Sequence, residues 1–175
     1  SPEVSLQVLN ELITEINRRY EVLRKNKVAN IIDLRSKQNA SEYPEIIWVV
    51  HDEFAEWMMT DEYKDGVSNI VSRLGVKARA AGIFLVFGAQ RPDANVMPMQ
   101  LRANLGNRLV LKVDGEGTSE IALGEKGAER LLGKGHLAGK IEGEDSIITA
   151  QVPFVTSVKI EEIVSVIRQE YGTSK

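Results

Sequence analysis

Apolar residues recur at helical spacing through the first two dozen positions. Leu9, Leu12, Ile13, Ile16, Tyr20 and Leu23 form one stripe with polar residues between them. Ser1-Pro2-Glu3 supplies the start signal, a hydroxyl at the cap position and a proline in the first turn. A polar stretch over 26–43 ends at Pro44, and the period then changes. Residues 46–50, Ile-Ile-Trp-Val-Val, are continuously apolar, the pattern of a parallel strand covered on both faces, which puts Trp48 in the core. Helical spacing returns over about 62–81, with Val67, Ile70, Val71, Leu74 and Ala78 inward and Gly82 as a left-handed stop. Residues 83–87 read as a second buried strand, ended by Gly88-Ala89-Gln90-Arg91-Pro92. Beyond them the pattern predicts a short helix at 99–105, a strand over 108–113 and a Gly-punctuated helix near 128–132. A strand over 147–155 and an amphipathic helix over 159–171 complete it. Strands alternating with helices make the class α/β, a largely parallel sheet flanked by helices. There is no internal repeat, low-complexity tract or linker, so residues 1–175 read as a single domain.

Composition narrows this only a little. A hydrophobic content of 43% over 175 residues suffices for one domain with a substantial core. The net charge of −3 leaves no global basic footprint, so any nucleic-acid contact must come from local patches. With no cysteine, disulfides and Cys-type zinc sites are excluded. No apolar run is long enough to cross a bilayer and there is no signal peptide, so the expectation is a cytoplasmic segment without membrane contact.

The chemistry lies where the first apolar run ends. Ile46-Ile47-Trp48-Val49-Val50-His51-Asp52-Glu53 looks like a Walker B strand, the acidic half of an ATPase site, with adjacent carboxylates at the carboxyl edge where open α/β sheets bind ligands. The matching phosphate loop, G-x-x-x-x-G-K-[ST], is not in these 175 residues. Gly133-Lys134-Gly135 imitates it most nearly, but Ala128 stands where the first glycine belongs and no Ser or Thr follows the lysine.

Several strings, in order, resemble the motor domain of the FtsK/SpoIIIE DNA translocase family. Glu15-Ile16-Asn17-Arg18-Arg19-Tyr20 is similar to E-M-x-R-R-Y, and Asp52-Glu53-Phe54-Ala55-Glu56-Trp57-Met58 to D-E-F-A-D-L-M. Lys77-Ala78-Arg79-Ala80-Ala81-Gly82-Ile83 matches K-A-R-A-A-G-I, and Gly88-Ala89-Gln90-Arg91-Pro92 resembles A-T-Q-R-P with Ala89 in place of threonine. Arg102-Ala103-Asn104-Leu105 with Arg108 resembles K-A-N-I-P-T-R, and Gly127-Ala128-Glu129-Arg130-Leu131-Leu132-Gly133 resembles G-A-E-K-L-L-G. The strings span nearly the whole chain. The resemblance implies a RecA-like P-loop NTPase core that assembles into a homo-hexameric ring, uses ATP and Mg²⁺, and pumps double-stranded DNA. In that family the phosphate loop precedes the first of these strings. The expectation is therefore a partial domain, incomplete on its N-terminal side and inactive as an isolated chain.

Residue by residue, the resemblance implies that Asp52 holds Mg²⁺ through its water shell and Glu53 activates the attacking water. Gln90 corresponds to a sensor of the γ-phosphate; by itself it is a strand-terminal amide. Arg79 corresponds to an arginine finger presented to a neighbouring subunit; by itself it is a solvated helix charge near Arg73 and Lys77. Arg91 and Arg102 correspond to contacts with the DNA backbone, where Lys and Arg bind phosphate without reading sequence; an arginine paired with a nearby carboxylate is the alternative for Arg91. His51 replaces the family's aliphatic residue. Glu120, in Ser119-Glu120-Ile121-Ala122-Leu123, stands where the family carries an arginine in S-R-T-I-L, so either the loop contacts differ or the cargo is not DNA, as in an FtsK-like ATPase of type VII protein secretion. A non-catalytic oligomerisation or DNA-binding fragment is the further alternative, because without the phosphate loop the chain would neither bind ATP tightly nor hydrolyse it. Arg18, Arg19 and Tyr20 read as packing and surface salt bridges, Trp57, Met58 and Met59 as packing under the site, and His136 as structural.

Overall fold

The computed structural model describes residues 1–37, 43–75 and 77–172, with the backbone alone at residue 100. Helix α1 (Pro2–Lys25) has proline in its first turn and Arg24 and Lys25 in its last, where cations suit the helix dipole. The Ser1 side chain makes no capping bond. Helix α2 (Ile31–Arg35) is capped by Asn30, whose side-chain oxygen accepts from the Asp33 amide at 2.8 Å. Strands β1 (Ile47–His51) and β2 (Ile83–Phe87) pair in parallel, Ile47 opposite Ile83 and His51 opposite Phe87, with α3 (Asp61–Gly75) as their crossover. Helix α4 (Met99–Asn104) leads to β3 (Arg108–Leu111), followed by α5 (Glu116–Ala122), β4 (His136–Lys140), β5 (Ile148–Gln151) and α6 (Ser157–Tyr171). The last three strands form an antiparallel sheet of order β3-β4-β5.

The α1 and α3 stripes supply the main core. Leu9, Leu12 and Ile16 pack with Val67, Ile70, Val71 and Leu74, around Phe54, Met58, Tyr63 and Ile83. Ile47, Val49, Leu85 and Phe87 present one face of the β1–β2 pair to this core. A second cluster, Val110, Ala122, Leu123, Ala128, Leu131 and Ala138, joins β3, β4 and α5. Burying one medium-sized side chain stabilises by roughly 1.5–3 kcal/mol, so these two clusters hold the sheets to their helices.

The fold is α/β as expected, but among the described residues the sheet is parallel only at β1–β2, while β3, β4 and β5 pair antiparallel in a separate sheet. The β4–β5 connection, 141–147, is too short for the crossover that a parallel pair needs. There are several local differences as well. Trp48 is not in the core: it is 65% exposed, stacked on Phe84 at 4.7 Å between ring centroids, and Val50 beside it is 68% exposed. Strand residues alternate between faces. Among the described residues only the Ile47–Val49 face is covered, so an unbroken apolar run overstates burial here. The helix expected over about 62–81 ends at Gly75, glycine being a poor helix former, and residues 77–82 form turns; Val76 lies outside the described residues. The polar stretch over 26–43 contains α2, and its residues 38–42 lie outside the described set. Near 128–132 there is only a 3₁₀ turn, Ala128–Arg130. Strand β4 escaped the sequence reading because His-Leu-Ala-Gly-Lys carries little β-propensity. Helix α6 forms as its spacing predicts, but none of its residues is buried. Gly133-Lys134-Gly135, all at positive φ, is the tight turn before β4 and opens no helix.

Candidate functional site

Two parallel strands end side by side, and this brings the acidic pair against the second strand. The ladder continues one step past the strands: the Gly88 amide donates to the His51 carbonyl at 2.9 Å, and the Phe54 amide donates to the Gly88 carbonyl at 3.1 Å. Asp52 is exposed, and its Oδ1 lies 3.0 Å from the point where a Cβ on Gly88 would sit, so the absence of a side chain there makes room for the carboxylate. Glu53 takes φ +48°, an uncommon backbone for a residue with a side chain, and its Oε2 is buried without a hydrogen-bond partner. A sparsely populated backbone beside an unsatisfied carboxylate oxygen is the kind of strain that accumulates at working sites. Gln90 emerges exposed from the same carboxyl edge, just past β2.

His51 shapes this turn in a way the sequence reading missed. Its Nε2 lies 2.6 Å from the Tyr63 hydroxyl, which is 3.4 Å from Ser5 Oγ on α1, and its Nδ1 is 3.4 Å from the Asp52 carbonyl. That carbonyl can only accept, so the arrangement suits a ring protonated at Nδ1 that accepts from Tyr63. Phe54, Trp57, Tyr63 and Phe87 surround the imidazole edge-on or tilted. Burial pushes His51 below its ordinary pKa and Tyr63 above its own. The only sequence signal was the polar residue itself in an otherwise apolar strand. Met58 packs beneath the site as expected, whereas Met59 is 71% exposed.

Arg79 does not sit on the preceding helix; it lies in the turn between α3 and β2. Backbone bonds from Ile83 to the Ala78 carbonyl and from Gly82 to the Arg79 carbonyl close that turn. Arg19, 2% exposed, anchors it from α1 by donating to the Ala81 carbonyl at 2.8 Å, while the Ile31 amide donates to the Ala80 carbonyl. Arg19 is therefore a buried support, not a surface charge. Glu15 ties Arg18 and Arg19 together, and its hydrogen bond from Arg18, followed by that from Arg19, holds the carboxyl at a pKa of about 2. The Arg79 guanidinium itself is exposed and reaches Glu142 at 3.7 Å, a surface pair that restrains it weakly.

Arg91 is exposed and, among the described residues, pairs with no carboxylate. Arg102 lies half-buried in the last turn of α4, its Nε without a partner. Glu120 is exposed on α5. His136 Nδ1 accepts from the Leu132 amide at 3.1 Å, the structural role expected of it.

The donor set fits a hydrated magnesium ion and not a protein cage. Among the described residues no three His, Cys, Asp or Glu side chains gather in a metal-binding group. Mg²⁺ keeps most of its waters and needs one or two carboxylates besides nucleotide phosphates, and exposed Asp52 can serve as one. A shallow cleft lined by Ile13, Ile16, Asn17, Arg73, Leu74 and Lys77 lies between α1 and α3 and includes none of these residues. Among the described residues no helix is long and apolar enough to cross a membrane.

The chain is similar to known proteins in sequence and fold. The model of the FtsK/SpoIIIE family matches residues 1–94. The DNA translocase FtsK of Streptococcus pneumoniae is 33% identical over 97% of this chain, and that of Campylobacter jejuni 34% identical over 97%. The chain spans only 23% and 18% of those relatives' own lengths. Among solved structures, the pCW3 conjugation coupling protein TcpA, in its monomer form with ATPγS, superimposes with a TM-score of 0.79 at 27% identity, covering 95% of this chain and 49% of TcpA. The cytoplasmic domain of the Thermomonospora curvata type VII secretion ATPase EccC gives 0.70 at 23% identity over 99% of this chain and 20% of its own, a likeness of fold alone. The α/β core is that of a P-loop ATPase domain.

Proposed function

This chain belongs to the FtsK/SpoIIIE family, and from that premise we propose that it carries the acidic half of the ATPase site in a ring-forming motor that translocates double-stranded DNA. The observation that carries the reading is the strand-end pair: exposed Asp52 against Gly88, and Glu53 at positive φ with an unpartnered oxygen. Asp52 would hold Mg²⁺ through its water shell, and that ion, when bound, neutralises charge on the nucleotide phosphates. Glu53 orients the attacking water and accepts its proton. The unsatisfied oxygen leaves this carboxylate free to do so. Gln90, on the same edge, donates its amide N–H toward the terminal phosphate.

Arg79 serves the nucleotide of a neighbouring copy in a homo-hexamer. Its turn is braced from behind by Arg19 and α2, while its head, among the described residues, is held by one exposed contact with Glu142. A guanidinium stays charged at any working pH and meets phosphate oxygens through two N–H groups at once. Arg91 and Arg102 contact the DNA backbone, and the lack of a carboxylate partner for either among the described residues supports that role.

The test is ATP hydrolysis by the full-length protein with and without duplex DNA. Hydrolysis should rise with duplex and fall at least a hundredfold in Glu53→Gln with ATP binding retained. Hydrolysis indifferent to both duplex and Glu53→Gln would overturn the reading.

A further inference from the structure

Arg108 and Lys140 stand directly opposite one another across β3 and β4. Like charges in that relation repel. Their heads nevertheless converge over Gly124: Nη1 of Arg108 lies 3.0 Å, and Nζ of Lys140 3.2 Å, from the point where a Cβ on that glycine would sit. Gly124 has φ +94°, so a side chain is disfavoured by the backbone as well as by the two cations. Arg102 adds a third positive charge nearby, and its carbonyl accepts from Nη2 of Arg108 at 3.0 Å.

Nothing described in the protein neutralises this group. Among the described residues Arg18, Arg19, Arg24, Arg79, Lys126, Arg130 and Lys159 have a carboxylate partner within ion-pair distance, whereas other cations, such as exposed Arg73 and Arg91, do not. Among the described residues Arg102, Arg108 and Lys140 have none. The Nε atoms of both arginines are buried without a hydrogen-bond partner, a cost that folded proteins rarely leave standing. Burial, and then the proximity of Arg102, push the Arg108 pKa down. An arginine fork and a lysine point charge meeting from opposing strands over a bare glycine can engage several oxygens of one anion.

We propose that Arg108 and Lys140, above Gly124 and beside Arg102, form a phosphate-binding site. It deepens the DNA-contact reading of Arg102 and rests on that reading only for the source of the phosphate, a duplex backbone or a nucleotide. Lys140 is exposed, so Lys140→Gln removes charge without endangering the fold; Arg108→Gln is its companion.

Three measurements on the full-length protein test the site. Inorganic phosphate should raise the unfolding temperature of the wild type more than that of either variant. In salt titrations of duplex DNA binding, each variant should lower the slope by about 0.9 if the phosphate is a backbone one. ATP affinity should instead fall severalfold, with the salt slope unchanged, if it belongs to a nucleotide. Loss of the phosphate effect alone would still establish the site, with free phosphate as its ligand. Phosphate protection, salt slope and ATP affinity all equal to wild type in both variants would overturn it. A wild type that binds neither duplex nor ATP would sink the motor reading while leaving the phosphate measurement to decide the site.

Discussion

The imidazole of His51 and the hydroxyl of Tyr63 lie 2.6 Å apart, joining the end of β1 to the start of α3 directly behind Asp52 and Glu53. Two elements that are separate in sequence thus share one half-buried polar link in an aromatic setting. Removing the hydroxyl while keeping the ring isolates that link. Tyr63→Phe should cost about 1–2 kcal/mol in urea unfolding, because the imidazole nitrogen is left unpaired in a half-buried site. In the full-length protein the same variant should lower kcat for ATP severalfold with KM unchanged. An unfolding midpoint equal to wild type would show that the bond contributes nothing.

Gly88→Ala tests how closely Asp52 is fitted. A Cβ there would meet Oδ1 of Asp52 at 3.0 Å, tighter than ordinary contact. The carboxylate should shift by a few tenths of an ångström, and ATP hydrolysis by the full-length protein should fall by roughly tenfold or more. Stability should change far less, because the obstructing atom is an exposed side chain.

Gly82→Ala should behave in the opposite way, through the fold. Gly82 is buried at φ +71°, and a Cβ there would collide with Cγ2 of Ile31. Both backbone strain and overpacking apply, so the loss should exceed about 2 kcal/mol in denaturant unfolding. A near-wild-type midpoint would mean that α2 is not seated against this turn.

Glu15 predicts an acid-side signature. Its folded pKa, about 2 against an ordinary value of 4.5, is depressed by Arg18 first and Arg19 second. Its stabilising effect is therefore complete above pH 4.5 and is lost as pH falls toward 2. Glu15→Gln should destabilise by about 1.5–3 kcal/mol at neutral pH, the scale of a hydrogen bond to a charged group. The difference from wild type should close as pH falls through that window. Thermal unfolding of both proteins from pH 7 to pH 2 measures it, and a gap independent of pH would refute the assignment.

The strand-end carboxylates, the parallel pairing of β1 with β2 and the α1 and α3 stripes were legible in the chain, since each follows from local periodicity and from residue types at a strand terminus. The exposure of Trp48 and Val50 was not, because an unbroken apolar run does not say which faces have neighbours. The Arg79 turn was misread as helix. Its Lys-Ala-Arg-Ala-Ala sequence favours helix locally, and what holds it otherwise is the distant Arg19 together with Ile31.

By itself the sequence determined the alternation of elements, the acidic pair and the family strings, because these reside in residue order and short-range propensity. Only the tertiary structure decided that His51 is bonded to Tyr63, that Gly88 makes room for Asp52, and that Arg108, Lys140 and Gly124 meet. Such meetings depend on which strand ends and loops the packing of the core brings within a few ångströms, across separations that no local pattern encodes.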